Sequence, residues 1–352
     1  MANTQNSAHG DGNRNMDSGG LQSILHKFVG PAQPELEDLS GWVAVVTGGA
    51  LGIGYEVSRA LAMANCRVIM VNRKEEQGNE AISNIKKDAP HAQVEWKECD
   101  LGHLASVRDV FSEIRERESR LDLLILSAGI NTNQFGRDAD GIDRHFGVNW
   151  LGHFYVCNQL WPLLRKTSKL TNTPPPRVVM ESSEMHRFAP SNVHFATLDE
   201  INDENMDGTK LYGRSKLAMI LGTKYGLVER VIKPNQDHVF ALAVHPGVVN
   251  TAMQQQWKYA YPGLIGKLLT CTNTAVGRDP EQGAYSALWA ATSPEIEEKG
   301  MNGFYFSDLG TPGKETSQAS DPALGAALWE LSERLVKEKL GENALVDWNA
   351  AA

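Results

Sequence analysis

A tyrosine and a lysine stand four residues apart, at Tyr212 and Lys216. If this segment is helical, positions i and i+4 lie on one face. An ammonium beside a phenol favours the phenolate and so lowers a tyrosine pKa that is ordinarily about 10. Such a pair can carry out general acid and base chemistry. The same spacing also occurs in ordinary exposed helical turns, so its meaning depends on the rest of the chain.

A glycine-rich segment lies far upstream, where residues 43–54 read VAVVTGGALGIG. The apolar run predicts a strand, and the sequence beyond it predicts a helix. Glycines at 48, 52 and 54 remove Cβ atoms where backbone would approach a pyrophosphate, and the helix N-terminus would supply N–H donors. The segment therefore predicts a dinucleotide-binding turn; a simple strand–helix turn is the alternative.

The end of the second predicted strand bears on cofactor choice. An NAD enzyme usually places Asp or Glu there to accept from the ribose 2′-OH. This chain has Asn72 and Arg73, the first of them eighteen residues past Gly54. Asn72 would not repel a 2′-phosphate, and Arg73 could bind one through its guanidinium fork. These residues favour NADP(H) over NAD(H), although a plain surface Arg-Lys pair is the alternative. Asp100, after the third strand, is placed to bond the adenine amino group.

The elements that must position these residues alternate along the chain. Apolar runs at 43–46, 68–71, 123–126, 178–180 and 239–244 predict buried strands of a parallel sheet. Helical patterns at 55–64, 75–87, 104–118 and 216–232 lie between them. The alternation predicts a single α/β domain of Rossmann type, with a doubly wound parallel sheet and helices on both faces. Leucines at 324, 328, 331 and 335, beside Trp329, predict a final amphipathic helix.

Composition limits the domain plan and the function class. The 352 residues suit a disordered tail at 1–20, a docking arm at 21–40 and one catalytic domain at 41–345. A net charge of −9 argues against a nucleic-acid binder. No apolar run reaches the roughly 20 residues that span a bilayer. Four scattered cysteines with no C-x-x-C pair predict a reduced, cytoplasmic protein and no metal site, with peripheral membrane contact left open.

With the glycine loop and the Tyr212–Lys216 pair together, the chain resembles the short-chain dehydrogenase/reductase superfamily from about residue 41 to 336. The segments FGVNWLGHF at 146–154 and HPGVVNT at 245–251, with the insertion between Ser183 and Tyr212, resemble its retinol dehydrogenase-like branch. Dimers and tetramers are common in that superfamily, so the resemblance leaves a homodimer or a homotetramer open for this chain.

The resemblance also implies a catalytic tetrad of Asn149, Ser183, Tyr212 and Lys216. Ser183 would hydrogen-bond the substrate carbonyl, and Tyr212 would donate or accept the proton. Lys216 would lower the pKa of Tyr212 and bind the nicotinamide ribose, while Asn149 would hold a water. Taken singly, Asn149 could brace a helix and Ser183 could end a strand.

The cofactor-binding residues implied by the resemblance run from the glycine loop to the turn at 246–251. They are Thr47, Gly48, Leu51, Gly52, Ile53, Gly54, Asn72, Arg73, Asp100, Leu101, Ala128, Gly129, Tyr212, Lys216, Pro246, Gly247, Val249 and Thr251.

Substrate contacts are expected from the segments 186–210 and 253–275. The second is a candidate lid whose aromatic and aliphatic residues suit a lipophilic carbonyl or alcohol, although a helix packed on the core would look the same. We therefore expect an NADP(H)-dependent oxidoreductase that interconverts a carbonyl and a primary or secondary alcohol on a retinoid-, steroid-, terpenoid- or polyketide-like molecule. The alternative is a catalytically silent nucleotide-binding regulatory or scaffold protein.

Two positions depart from the family pattern. Leu126-Ser127-Ala128-Gly129 stands where the family usually has Asn-Asn-Ala-Gly, and only Ser127 can replace part of the lost hydrogen bonding. Glu181 lies two residues before Ser183 on a strand, so both side chains are expected on one face. A buried carboxylate needs a partner or a proton. Glu181 either pairs with a nearby cation or tunes the site's pH response, and we favour the ion pair.

Overall fold

The computed structural model describes residues 32–132, 134–247, 249 and 278–350. The predicted tail at 1–20, most of the docking arm, Thr251 and the candidate lid at 253–275 lie outside the described residues. Of the arm, residues 32–40 are described. There Leu39 is buried, and its N–H donates to the Ala64 carbonyl over 2.7 Å.

In the described part of the chain, eight strands form one sheet in the order β3-β2-β1-β4-β5-β6-β7-β8. Strands β1 to β7 are parallel, and β8 is antiparallel to β7. The strands are β1 Val43–Thr47, β2 Arg67–Asn72, β3 Val94–Glu98, β4 Leu123–Leu126, β5 Arg177–Glu181, β6 Phe240–Val244, β7 Tyr305–Asp308 and β8 Thr311–Pro312. The predicted doubly wound parallel sheet is confirmed.

Among the described residues, seven longer helices cover the sheet: α1 Gly52–Met63, α2 Glu75–Asp88, α3 Leu104–Arg117, α4 Gly152–Thr167, α5 Gly208–Leu221, α6 Pro280–Thr292 and α7 Pro322–Leu340. Single turns lie at Arg144–Phe146, Leu198–Ile201, Lys233–Asn235 and Glu295–Glu298, and 3₁₀ turns at Glu184–Phe188 and Gln318–Ser320. π-Helical segments precede α4 at Gly147–Leu151 and continue α5 at Gly222–Ile232.

The alternation of strand side chains explains why helices cover both faces. In β1, Val43 and Val45 belong to one apolar cluster, whereas Ala44 and Val46 belong to another. The first cluster includes residues of α3, α4, α5 and α7, and the second includes residues of α1, α2 and α6. Because successive side chains of a strand point to opposite faces, each apolar strand contributes to both clusters. The helices predicted on both faces are confirmed.

The helix that carries Tyr212 and Lys216 begins earlier than the sequence predicted. Its first residue is Gly208 rather than residue 216, because the Asp207 side chain caps it by accepting from the Lys210 N–H over 3.1 Å. Tyr212 and Lys216 therefore lie within one helical segment. The strands β7 and β8 and the helices α4 and α6 were not predicted from the sequence, and β3 was assumed there without bounds.

The chain order reverses between β1 and β4. Those strands are neighbours in the sheet, and successive connections run outward from them in both directions. A crevice at the carboxyl ends of strands on either side of such a switch point is where open α/β sheets bind ligands. No helix among the described residues is long and apolar enough to cross a membrane.

Candidate active site

The glycine loop connects β1 to α1 at this crevice. Gly48 has a φ of +68°, which glycine adopts without steric cost. A Cβ at Gly48 would lie 2.9 Å from the Cα of Ala128, and one at Gly54 would lie 2.5 Å from the Gly48 carbonyl oxygen. The N-cap residue Leu51 offers α1 no side-chain hydrogen bond. The close backbone approach and the uncapped helix start fit the pyrophosphate of a dinucleotide.

Thr47 ties the loop to its neighbours. Its hydroxyl oxygen accepts from the Ala128 N–H over 3.2 Å and lies 2.9 Å from Nε2 of His153. Nδ1 of His153 lies 2.9 Å from the Asn149 carbonyl oxygen, which can only accept, so Nδ1 carries the proton and Nε2 accepts from Thr47. Burial lowers the pKa of His153 to about 3. A neutral imidazole therefore joins β1 to the turn that carries Asn149.

The predicted adenosine-side residues lie at the ends of β2 and β3. The Arg73 side chain is 59% exposed, and its Nη1 lies 3.9 Å from Oδ2 of Asp100. Oδ1 of Asp100 accepts from the Gly102 N–H over 2.9 Å. Asn72 accepts from the Trp96 indole over 2.5 Å and donates to Gln77 over 3.3 Å. Arg73 and Asp100 are thus brought together at an accessible rim, whereas Asn72 is used to hold β2 to β3 and α2.

The four predicted catalytic residues converge at the carboxyl ends of β4 and β5. The Ser183 side chain hydrogen-bonds the Tyr212 phenol, and Nζ of Lys216 lies 5.5 Å from the centre of the tyrosine ring. Both side chains of α5 are buried. A Cβ placed on Gly129 would lie 3.4 Å from Oδ1 of Asn149 and 3.8 Å from Nζ of Lys216. The loop after β4 is therefore the meeting point of Asn149 and Lys216.

Asn149 lies in the π-helical turn before α4. Its side chain accepts from the Ile130 N–H over 2.8 Å and donates to the Ile130 carbonyl over 3.0 Å. It also donates to the Ser215 hydroxyl over 2.9 Å, and that hydroxyl donates to the Tyr212 carbonyl over 2.7 Å. A single π turn is a common device for aiming a side chain at a functional site. Asn149 therefore links the β4 loop to the backbone of α5.

Burial dominates the ionisation of the pair on α5. It raises the pKa of Tyr212 above its ordinary value, the charge of Glu181 acts in the same direction, and the bond from Ser183 opposes both. Lys216 is not among the causes of this shift, so the sequence-based expectation that it lowers the pKa of Tyr212 is corrected. Burial also lowers the pKa of Lys216, and the negative charge of Glu181 opposes that shift.

Several supporting residues were missed from the sequence. Ser182 donates to the Lys216 carbonyl over 2.8 Å, so the two adjacent serines have different partners. Ser215 bridges Asn149 and Tyr212, as described above. The fully buried Arg214 lies 3.3 Å from the fully buried Asp143. The position of Ser215 and Arg214 inside the Tyr-x-x-x-Lys segment was the only available signal, since their partners are distant in sequence.

Asp143 anchors the turn that leads to Asn149. Its Oδ2 accepts from the Phe146 N–H and its Oδ1 lies 3.2 Å from Nδ1 of His145. Arg214 donates to the Ile201 carbonyl over 2.6 Å as well as bonding Asp143. The ion pair therefore holds α5 against the segment that carries Asn149.

The predicted turn after β6 is only partly described. Gly247 has a φ of +87°, and a Cβ there would lie 2.5 Å from Nη1 of Arg278. Arg278 also pairs with Asp308 over 3.0 Å and donates to the Pro246 carbonyl. Val249 is buried. Pro246, Gly247 and Val249 thus lie at the carboxyl end of β6, as predicted, while Thr251 lies outside the described residues.

Glu181 does not have the partner that we favoured. No ion pair within 4 Å involves its carboxylate among the described residues, and Lys216 donates instead to its main-chain carbonyl over 2.7 Å. Ser127 hydrogen-bonds the carboxyl, while Oε1 has no hydrogen-bond partner in the described part of the chain. Burial raises the pKa of Glu181. The ion-pair interpretation is therefore replaced by a buried carboxyl beside the predicted catalytic lysine.

Part of the segment expected to contact substrate lies away from the tetrad. A cavity of about 230 Å³ is lined by Pro190, Asn192, Val193, Asp199, Glu200, Asp203, Met206 and Arg214. On a helix, residue 214 points away from the face of 212 and 216. The region 190–206 therefore surrounds the Arg214 side of α5 rather than the Tyr212 side.

Comparisons with known proteins agree with this geometry. The sequence model of the family described as short chain dehydrogenase matches residues 42–171. Polyprenol dehydrogenase of Danio rerio is 33% identical over 320 residues, which cover 90% of this chain and 94% of that protein. Retinol dehydrogenase 14 of Homo sapiens is 31% identical over 341 residues, covering 90% and 95%.

A solved structure shares the fold. The short chain dehydrogenase of Shigella flexneri complexed with NADP superimposes with a TM-score of 0.57 at 19% identity, covering 78% of this chain and 99% of that one. At that identity the likeness concerns the fold alone.

Proposed function

The chain belongs to the short-chain dehydrogenase/reductase family, in its retinol dehydrogenase-like branch, and on that premise we propose that it interconverts a carbonyl and an alcohol on a hydrophobic small molecule with NADP(H). Membership makes it a nicotinamide-dependent oxidoreductase of the carbonyl–alcohol class. The observation that carries the proposal is the Ser183–Tyr212 hydrogen bond beside Lys216, at the crevice that the glycine loop enters.

We assign the proton chemistry to Tyr212. Its phenol donates a proton to the carbonyl oxygen in reduction and takes one from the alcohol, as phenolate, in oxidation. Ser183, already within hydrogen-bonding reach of that phenol, positions the same oxygen. When bound, the nicotinamide supplies or accepts the hydride. Tyr212 and Ser183 therefore hold the oxygen while the carbon reacts.

Lys216 and Asn149 support that chemistry. The ammonium of Lys216 is near enough to the ring of Tyr212 to favour the phenolate when it forms, and it is assigned to the nicotinamide ribose. Asn149 holds the β4 loop and, through Ser215, the backbone of Tyr212. Its Oδ1 accepts from Ile130 and has a second lone pair, which suits the predicted water.

The preference for NADP(H) is supported at the end of β2. Arg73 is exposed there and carries a planar guanidinium, which binds phosphate in bidentate geometry. Asn72 adds no negative charge. The Shigella flexneri protein, which shares the fold, is complexed with NADP. The other residues assigned to the cofactor are the glycine loop, Asp100, Leu101, Ala128, Gly129 and the turn at 246–251.

A hydrophobic substrate is supported by two observations. The relatives are named for polyprenol and retinol, both long apolar alcohols. The segment 253–275 contains Trp257, Tyr259, Tyr261, Leu264, Ile265, Leu268 and Leu269. An apolar wall around a few polar groups is the usual character of a small-molecule site.

A substrate screen tests the proposal. The purified chain is given NADPH or NADH with a panel of apolar ketones and aldehydes, and NADP⁺ or NAD⁺ with the matching alcohols. We expect turnover of at least one apolar carbonyl with NADPH, at a higher kcat/KM than with NADH. Binding of NADPH without turnover across the panel would support the silent nucleotide-binding alternative.

A further inference from the structure

The two positions at which the sequence departs from the family pattern meet in the structure. Ser127 follows β4 and Glu181 ends β5, and these strands pair so that Leu126 lies beside Met180. The Ser127 side chain hydrogen-bonds the Glu181 carboxyl. Glu181 is 5% exposed, and its Oε1 has no partner among the described residues. A half-buried serine and a buried carboxyl that are unusual separately therefore form one polar pair.

The surroundings of this pair contain few charges. From α5, Nζ of Lys216 donates to the main-chain carbonyl of Glu181 over 2.7 Å, and Tyr212 is near enough to interact with the Glu181 charge. From α4, the neutral His153 lies near Lys216. On β6 its partner in the ladder is the apolar Val244. The next residue, His245, interacts with Glu184, Arg278, Asp308 and His186 instead.

We propose that Ser127 and Glu181 form a titrating carboxyl site that acts on Tyr212, and that its negative charge extends the pH range of carbonyl reduction upward. The inference rests on the proposed function, since Tyr212 must be the proton donor for it to matter. Glu181 is thus a positioning residue that contacts neither reacting atom.

The pH dependence follows from the order in which Glu181 and Tyr212 lose their protons. Burial keeps Glu181 protonated to a higher pH than an ordinary glutamate, and the Ser127 hydrogen bond favours its ionised form. Once Glu181 has released its proton to solvent, its charge opposes ionisation of Tyr212. The phenol therefore persists to higher pH. Reduction needs the phenol, and oxidation needs the phenolate. The pKa that limits each direction therefore moves to higher pH.

Glu181→Gln tests this directly, because glutamine keeps the shape and removes the charge. We expect the apparent pKa of the kcat/KM profile for reduction to fall by about one unit. At a fixed pH below that pKa, the fraction of Tyr212 in the phenolate form then rises about tenfold. Ser127→Ala should give a smaller fall, since the carboxylate loses the hydroxyl that stabilises it. Glu184→Gln is the matched control, because that carboxyl bonds Tyr305 and Arg187 and should leave the profile in place.

Two further measurements keep the inference separate from the proposed function. In the chain without cofactor, infrared titration should show a protonated-carboxyl band that persists to a higher pH than for an ordinary glutamate. This band should be missing in Glu181→Gln. In the NADP⁺ complex, tyrosinate absorbance corrected with Tyr212→Phe should appear at lower pH in Glu181→Gln. Absence of the band, or an unchanged tyrosinate midpoint, would overturn the inference even if turnover is observed. A shifted midpoint without turnover of any substrate would support it while the proposed function fails.

Discussion

The two ends of the crevice are built differently. Around Tyr212 the polar side chains are buried, and most are tied by hydrogen bonds to backbone or to one another: Asn149 to Ile130, Ser215 to Tyr212, Ser182 to Lys216. At the ends of β2 and β3, Arg73 and Asp100 are exposed and lie 3.9 Å apart. An exposed pair at that distance contributes little to stability. The first region is organised before a ligand arrives, and the second becomes organised by binding one.

This difference separates the expected effects of substitution. A change around Tyr212 should affect folding or the chemical step, because buried polar groups are costly to leave unpaired. A change at the rim should affect cofactor affinity and little else. The substitutions below test the difference from the largest expected effect to the smallest.

Asp143→Ala should be the most damaging. The substitution removes the carboxylate that pairs with the fully buried Arg214. Removing one partner of a buried ion pair lowers the free energy of unfolding by about 3–5 kcal/mol. Denaturant unfolding measures the loss. Arg137→Ala is the control, because the Arg137–Glu204 pair is exposed and should change stability by less than about 1 kcal/mol. Equal losses in the two variants would contradict the preorganised character of the Tyr212 region.

Ser183→Ala should lower kcat by about 10²–10³, the usual cost of removing one donor to a reacting oxygen. Ser182→Ala should instead cost about 1 kcal/mol of stability, because its hydroxyl bonds the Lys216 carbonyl. Steady-state kinetics and thermal unfolding of both variants separate the roles. A larger kcat loss in Ser182→Ala would reverse the assignment of the two serines.

Arg73→Ala should weaken NADPH binding by about 10–100-fold, corresponding to a charge-assisted bond of about 1.5–3 kcal/mol, with NADH affinity unchanged. Stability should change by less than about 0.5 kcal/mol, since the side chain is exposed. Fluorescence titration with both cofactors gives the affinities, and Lys74→Ala serves as the neighbouring control. Equal losses for NADPH and NADH would refute the phosphate contact.

Glu181→Gln should change stability by an amount that depends on pH. The pKa of Glu181 is raised in the folded chain, so its stabilising contribution is present below the unfolded pKa of about 4.3 and is lost as pH rises through the folded value. The variant should therefore gain thermal stability relative to wild type as pH rises through this window. A difference that is constant with pH would contradict burial of a titrating carboxyl.

The sequence predicted what local pattern controls. Continuous apolar runs located β1, β2, β4, β5 and β6, and the glycine spacing located the turn into α1, since both signals lie within a few residues. It did not predict β7, because that strand has only four residues and its last two, Ser307 and Asp308, are polar. It also did not predict the start of α5, which depends on the cap at Asp207.

The catalytic residues could be named from spacing and resemblance, but their surroundings could not. Asp143 and Arg214 are 71 residues apart, so nothing local pairs them. The pKa of Tyr212 was expected to be lowered by a neighbour one turn away, whereas burial by the whole domain raises it. Glu181 was singled out correctly as unusual, yet its partner Ser127 lies just after a different strand.

The central claim is that Tyr212 is the proton donor of an NADP(H)-dependent oxidoreductase. The direct measurement is NADPH consumption with the best carbonyl from the screen, by wild type and by Tyr212→Phe, together with NADPH affinity of both. Phenylalanine keeps the ring and removes only the hydroxyl. We predict a loss of at least about 10²-fold in kcat, as expected for removal of a general acid, with affinity unchanged within about threefold. Tyr212→Phe that turns over at the wild-type rate would contradict the claim.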